Sequence, residues 1–196
     1  MIKNLSFSFF DNFHGAFGGG ECYQTCLSCG GLCEHTLLAT LFPGEAAYIA
    51  HRMCLSTNKF INKYVDFITT EKYKIELIRL ITPCPFLDNE FKCIIKDFKP
   101  ILCKIYPLYI KNCNGTCSID IDSRCPLSQS PDISIKFLQK RKKIKYFLES
   151  VDAEWLKKLR EYDEYYYDFS HIHLIREVPD NKVFVIPLKN ILECRI

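Results

Sequence analysis

The stretch Cys84–Tyr106, "CPFLDNEFKCIIKDFKPILCKIY", carries three cysteines on two kinds of turn. Asp88–Asn89 is a turn pair between apolar residues, so "CPFLDNEFKCII" reads as a tight hairpin with Cys84 and Cys93 at its two bases. Pro100 suits the opening of a helix and Pro107 lies beyond its end, so "KPILCKIY" reads as a short helix presenting Cys103. These three thiols stand on turns and a short helix, where they can converge on one ion.

Upstream, Gly18–Cys33 reads "GGGECYQTCLSCGGLC" and places Cys22, Cys26, Cys29 and Cys33 within twelve residues. Thiolates bind zinc and iron, and ligand pairs two to four residues apart suit a turn whose sulfurs converge on one ion. Cys26–Cys29 and Cys29–Cys33 have that spacing, and Gly30 and Gly31 allow the backbone to bend around it. Such a knuckle needs further ligands, which Cys84, Cys93 and Cys103 are placed to supply. Cys22, Cys26 and Cys29 also share the C-x3-C-x2-C spacing of radical S-adenosylmethionine enzymes. Ser28 stands where those enzymes usually carry an aromatic residue, however, and the chain lacks the βα alternation of their barrel. Downstream, "NCNGTCSIDID" holds an Asn-Gly turn between Cys113 and Cys117, followed by an alternating strand, and Cys125 comes last in the cluster. Isolated Cys54 and Cys194 read as small buried apolar residues.

A chain of 196 residues, 48% apolar and 25% charged, is large enough to bury a core without disulfides. The opening residues lack an uninterrupted apolar run, and no apolar stretch approaches the roughly 20 residues of a membrane span. A reducing cytoplasm is the simplest compartment, and there clustered cysteines bind metal more often than each other. The net charge of +3 is too small to imply nucleic acid.

Eleven of the twelve cysteines precede residue 130, giving a lead-in over 1–21, a cysteine-cluster domain over 22–130 and a third part over 131–196. The lead-in, rich in glycine and aromatic residues, is expected to be mobile. "FPGEAAYIAHRM" reads as a helix, with Pro43 in its first turn and Glu45 at the positive end. "TNKFINKYVDFI" reads as another, with Phe60, Ile61, Tyr64, Phe67 and Ile68 on one face, and "KYKIELIRLI" as a strand. The last part is expected to hold a basic amphipathic helix over "DISIKFLQKRKKIKYFLES" and a second helix capped by Asp152. A hairpin turning at Pro179–Lys182 closes it. The expected class is α+β: a small Cys-rich metal-binding domain of irregular loops, short hairpins and helices, then a helical pair and a terminal β-hairpin.

The blocks "CLSCGGLC", "FPGE", "CPFLDNEFKC", "KPILCKIYPL" and the late Cys125-Pro126 together resemble the YkgJ-type cysteine-cluster family, a zinc- or iron-chelating domain, in order and spacing. The family's adjacent Cys pair falls on Leu32–Cys33, so one thiol is missing and Cys22 is the substitute nearest in sequence. The resemblance implies a metal set of Cys22, Cys26, Cys29, Cys33, Cys84, Cys93, Cys103 and Cys125, with Cys113 and Cys117 as alternatives. It implies zinc or an iron–sulfur cluster as the bound group. The family is similar to the flagellin lysine N-methylases, which implies an alternative: a cluster-dependent modifying enzyme acting on a protein or peptide, with S-adenosylmethionine as a further cofactor.

Other features have plainer readings. The basic run Lys136, Lys140, Arg141, Lys142, Lys143 and Lys145 is a solvated face opposite a stripe of Phe137, Leu138, Ile144 and Phe147. "YDEYYYDF" reads as helix packing with an acidic outer face, and His171 and His173 as a surface pair. His35, beside Cys33, is a spare ligand.

Overall fold

The computed structural model describes residues 3–17, 39–70, 75–81, 83–90, 92–113, 116–122, 125, 131–159, 175–177 and 183–185. Helices and two-stranded antiparallel sheets alternate along them, so the chain is a mixed α+β protein. The first element corrects the reading of residues 1–21 as a mobile lead-in. Residues Phe7–Phe17 form helix α1, and its Phe10 and Phe13 are buried in the core. Phe10, Phe13, His14 and Phe17 recur at helical spacing, so α1 has one apolar stripe to bury.

Helix α2, Glu45–Arg52, begins two residues later than Pro43 suggests. Pro43 lies in the preceding turn, and Gly44 is the N-cap at φ 88°. Only glycine fits there. A Cβ would meet the carbonyl oxygen of Leu5 at 2.8 Å, and the left-handed φ disfavours any side chain. At the other end, Cys54 adopts φ 56°, its N–H bonds to the His51 carbonyl, and the Leu55 N–H bonds to Ala50. That pair of bonds is a Schellman ending, with cysteine where glycine is usual.

Helix α3, Thr57–Tyr64, is capped by Ser56, whose Oγ accepts from the Lys59 N–H at 3.3 Å. The helical reading of "TNKFINKYVDFI" fails past Tyr64, because Val65–Thr70 form strand β1 and pair antiparallel with β2, Ile75–Leu80. Four of the six residues of β1 are β-branched, and a partner strand is at hand, which outweighs the continuing helical spacing. The segment before α2 extends this ribbon through the Thr40↔Arg79 bridge.

The short helix α4, Ile101–Ile105, follows as expected, and the expected strand after Cys113, β4, Thr116–Ile121, pairs with one the sequence reading did not include, β3, Leu108–Cys113. Helix α5, Pro131–Leu148, comes next, and residues 153–159 are helical behind an Asp152 cap that accepts from Glu154 and Trp155 N–H groups. The terminal strands β5, Ile175–Glu177, and β6, Val183–Val185, pair antiparallel.

The composition change near residue 130 does not divide the core. Ile144, Leu148, Val151, Trp155 and Leu159 belong to the same buried cluster as Phe10, Phe42, Ile101 and Ile105. Phe147 packs edge-on against Phe13 at 5.0 Å, and Trp155 tilts against Phe42 at 4.4 Å between centroids. Arg141 anchors α5 by donating from Nε to the Ile119 carbonyl of β4 at 2.9 Å. Among the described residues, no helix is long and apolar enough to cross a membrane.

Candidate metal centre

The hairpin of Cys84 and Cys93 forms as its turn residues dictate. Leu87 bridges Cys93, and the Ile94 N–H bonds to Phe86. The Asp88 carboxylate accepts from the Glu90 and Lys92 N–H groups at 2.8 Å each, closing the turn. Phe86 fixes the hairpin to the core: it is buried, stacks near-parallel on Phe60 at 6.2 Å and tilts against Tyr64 at 4.9 Å.

Cys103 lies on α4, whose start is set by a residue far away in sequence. Glu45 is fully buried, and its two carboxylate oxygens accept from different backbone donors, the Phe42 N–H at 2.8 Å and the Ile101 N–H at 2.7 Å. The Ile101 donor is one that a helix start leaves unmade, so a single side chain ties the entrance of α2 to that of α4. Burial pushes the Glu45 carboxyl up to about 8, and the two N–H donors pull the other way. At the sequence level Glu45 reads only as a charge at a helix N-terminus. Its burial depends on a donor 56 residues downstream, which no local pattern signals.

A further set of contacts ties the Cys125 segment to the end of α4. Lys104 of that helix has its pKa lowered by burial and by Lys99, while Asp97 and Cys93 act in the opposite sense. After α4 the chain turns at Tyr106–Pro107, a cis peptide, and the Pro107 carbonyl accepts from the Asp122 N–H at 2.8 Å. The Asp122 carbonyl then accepts from the Cys125 N–H at 3.1 Å, and Asp122 Oδ2 accepts from the Tyr106 hydroxyl at 3.3 Å. Cys125 is buried, whereas Cys84, Cys93 and Cys103 are half-buried at the edge of the core.

Cys22, Cys26, Cys29, Cys33, His35 and Cys194 lie outside the described residues, as do the tyrosine cluster, His171 and His173. Among the described residues, no group of three or more His, Cys, Asp or Glu side chains is arranged to hold a metal ion. The backbones of Cys113 and Cys117 are in the β3–β4 ribbon, where Cys113 faces Thr116 and Cys117 faces Asn112. Cys54 is not the buried residue its apolar context suggests. It is an exposed free thiol, because the αL ending of α2 turns it outward. Sequence reading also passes over His14, which is buried with both ring nitrogens lacking a hydrogen-bond partner.

No protein-family model, curated protein or solved structure matches this chain.

Proposed function

We propose that this chain is a cysteine-cluster metalloprotein of the reducing cytoplasm that binds zinc or an iron–sulfur cluster through thiolates. The ligand set is Cys22, Cys26, Cys29, Cys33, Cys84, Cys93, Cys103 and Cys125. The observation that carries this reading is the mounting of the later cysteines. Hydrogen bonds through Asp122 tie the Cys125 segment to the end of α4, which bears Cys103, and the hairpin shared by Cys84 and Cys93 is pinned to the core by Phe86. Thiols on supported turns are pre-positioned for a soft or borderline cation. Their partial burial also limits the water that competes for the ion.

Metal analysis of anaerobically purified full-length protein tests the reading. Stoichiometric zinc in a colourless preparation, or iron with sulfide in a brown one, agrees with it. Metal content that survives Cys103→Ser together with Cys93→Ser refutes the assignment. Cleavage of S-adenosylmethionine by the iron-loaded protein would place the chain among cluster-dependent modifying enzymes.

A further inference from the structure

The positive charge of this chain is concentrated on one helix. Residues 133–148 of α5 carry six lysines and arginines and no acidic residue, while the other 20 basic residues of the chain are outnumbered by its 23 acidic ones. The net charge of +3 therefore conceals a basic ridge on a body of opposite sign. Buried Ile144 and Leu148 turn one side of α5 to the core, and Arg141 is committed to the Ile119 carbonyl. Lys142, Lys143 and Lys145 are exposed, and Lys140 is half-buried.

An aromatic ring stands among these charges. Tyr146 is 69% exposed, more than any other large apolar side chain among the described residues. Lys142 and Lys143 precede it by one helical turn, so they flank its ring on the outer face. Lys143 Nζ donates to the Ala16 carbonyl at 3.3 Å, which leaves two of its three ammonium protons uncommitted. Among the described residues, Lys140, Lys142, Lys143 and Lys145 make no ion pair. The nearest acid in sequence is the exposed Glu149, just past the end of α5. Unneutralised ammonium groups around an exposed ring fit a strand of phosphates that carries unpaired bases. A membrane surface fits less well, because the apolar side of α5 is already buried in the core. An acidic peptide would engage the lysines and leave the ring unused, and a duplex keeps its bases stacked inside.

We infer that the outer face of α5 binds single-stranded nucleic acid, with Lys142, Lys143 and Lys145 on its phosphates and Tyr146 stacked on a base. None of these groups is a thiol, so the surface stands independently of the metal assignment.

The test is fluorescence anisotropy of a labelled oligouridylate, about 12 nucleotides long, titrated with the full-length protein. Saturable binding is expected. Its log affinity should fall against log salt with a slope of about −2, from three lysines at about 0.7 each on a single strand. Changing Lys142→Gln, Lys143→Gln and Lys145→Gln together should abolish the binding. Tyr146→Ala should weaken it about tenfold with the salt slope unchanged, and Tyr146→Phe should keep the wild-type affinity. All four side chains are exposed, so these variants keep the fold, which far-UV circular dichroism checks. The matching oligodeoxyuridylate separates the sources: tighter binding of either strand assigns RNA or DNA, equal binding assigns both, and each result upholds the face. An oligonucleotide that fails to bind overturns it. So does an affinity unchanged in the triple variant or in Tyr146→Ala, or equally tight binding of polyglutamate or of phosphatidylserine vesicles.

Discussion

Glu45→Gln removes the ionisable group that joins the starts of α2 and α4 while keeping nearly its shape. The folded carboxyl stands at about 8 because burial outweighs its two N–H donors, whereas an unfolded glutamate titrates near 4.3. Between those values the unfolded chain has released a proton that the folded chain keeps. Stability therefore falls as pH rises, by about 1.4 kcal/mol per unit for this group. The penalty is absent below the unfolded value and levels off above the folded one, with a ceiling of about 5 kcal/mol. The amide cannot titrate, so its variant lacks this slope. At pH 5 the folded wild-type group is a neutral acid whose hydroxyl oxygen still accepts a weak bond that the amide NH2 does not, so the variant should be less stable by about 1 kcal/mol. By pH 8 the gap should close or reverse. Urea denaturation of both proteins from pH 5 to 9 measures the difference directly, cancelling the other titrating groups. A difference constant across that range would refute the reasoning, for it would mean that Glu45 keeps one protonation state throughout.

Phe86→Ala should cost about 3–5 kcal/mol by emptying the contact with Phe60 and Tyr64, and it should lower metal content by releasing the Cys84–Cys93 hairpin. Loss of stability with full metal retention would count against that coupling. The two left-handed positions should respond in opposite directions under denaturant. Gly44→Ala destabilises by about 1–3 kcal/mol, since the new Cβ strikes backbone at Leu5. Cys54→Gly should stabilise by up to about 1 kcal/mol by relieving the αL ending of α2, with unchanged metal content. Stripping metal with a chelator should leave the far-UV circular dichroism largely intact, because one continuous buried cluster unites α1, α2, α4 and α5. Wholesale loss of helix would show that the metal, and not the core, holds the fold.

Elements set by local chemistry were legible in the sequence. Asp88 closes its turn, Pro100 opens α4, and Asp152 caps the helical segment over 153–159, each through atoms within a few residues. Misreadings occurred where two local signals compete. Phe60, Ile61, Tyr64, Phe67 and Ile68 keep helical spacing straight through the start of β1. The β-branched residues after Tyr64 and the pairing of Val65 with Leu80 decide against that spacing. In α1, Gly15 and polar residues obscured an aromatic stripe that has the right period. The role of Glu45 and the burial of His14 were not legible, because both depend on what other segments bring. Glu45 needs the Ile101 donor, and His14 is buried against Tyr48.

Glu45 also gives a physical reason for two of the sequence blocks to occur together. "FPGE" supplies the carboxylate, its own Phe42 N–H and the Gly44 conformation that lets α2 begin at Glu45. "KPILC" supplies Pro100, which has no N–H to satisfy, and then Ile101, whose orphan N–H the carboxylate accepts. Either block alone leaves a buried group unsatisfied: without Ile101 a carboxylate oxygen has no donor, and without Glu45 the first donor of α4 has no acceptor. Cys103 lies two residues beyond that donor, so any motion of the α4 start moves its sulfur. The carboxylate is thus a positioning residue for the cysteine helix. It links the packing of α2 to the placement of a thiol that the sequence alone identifies only by its spacing.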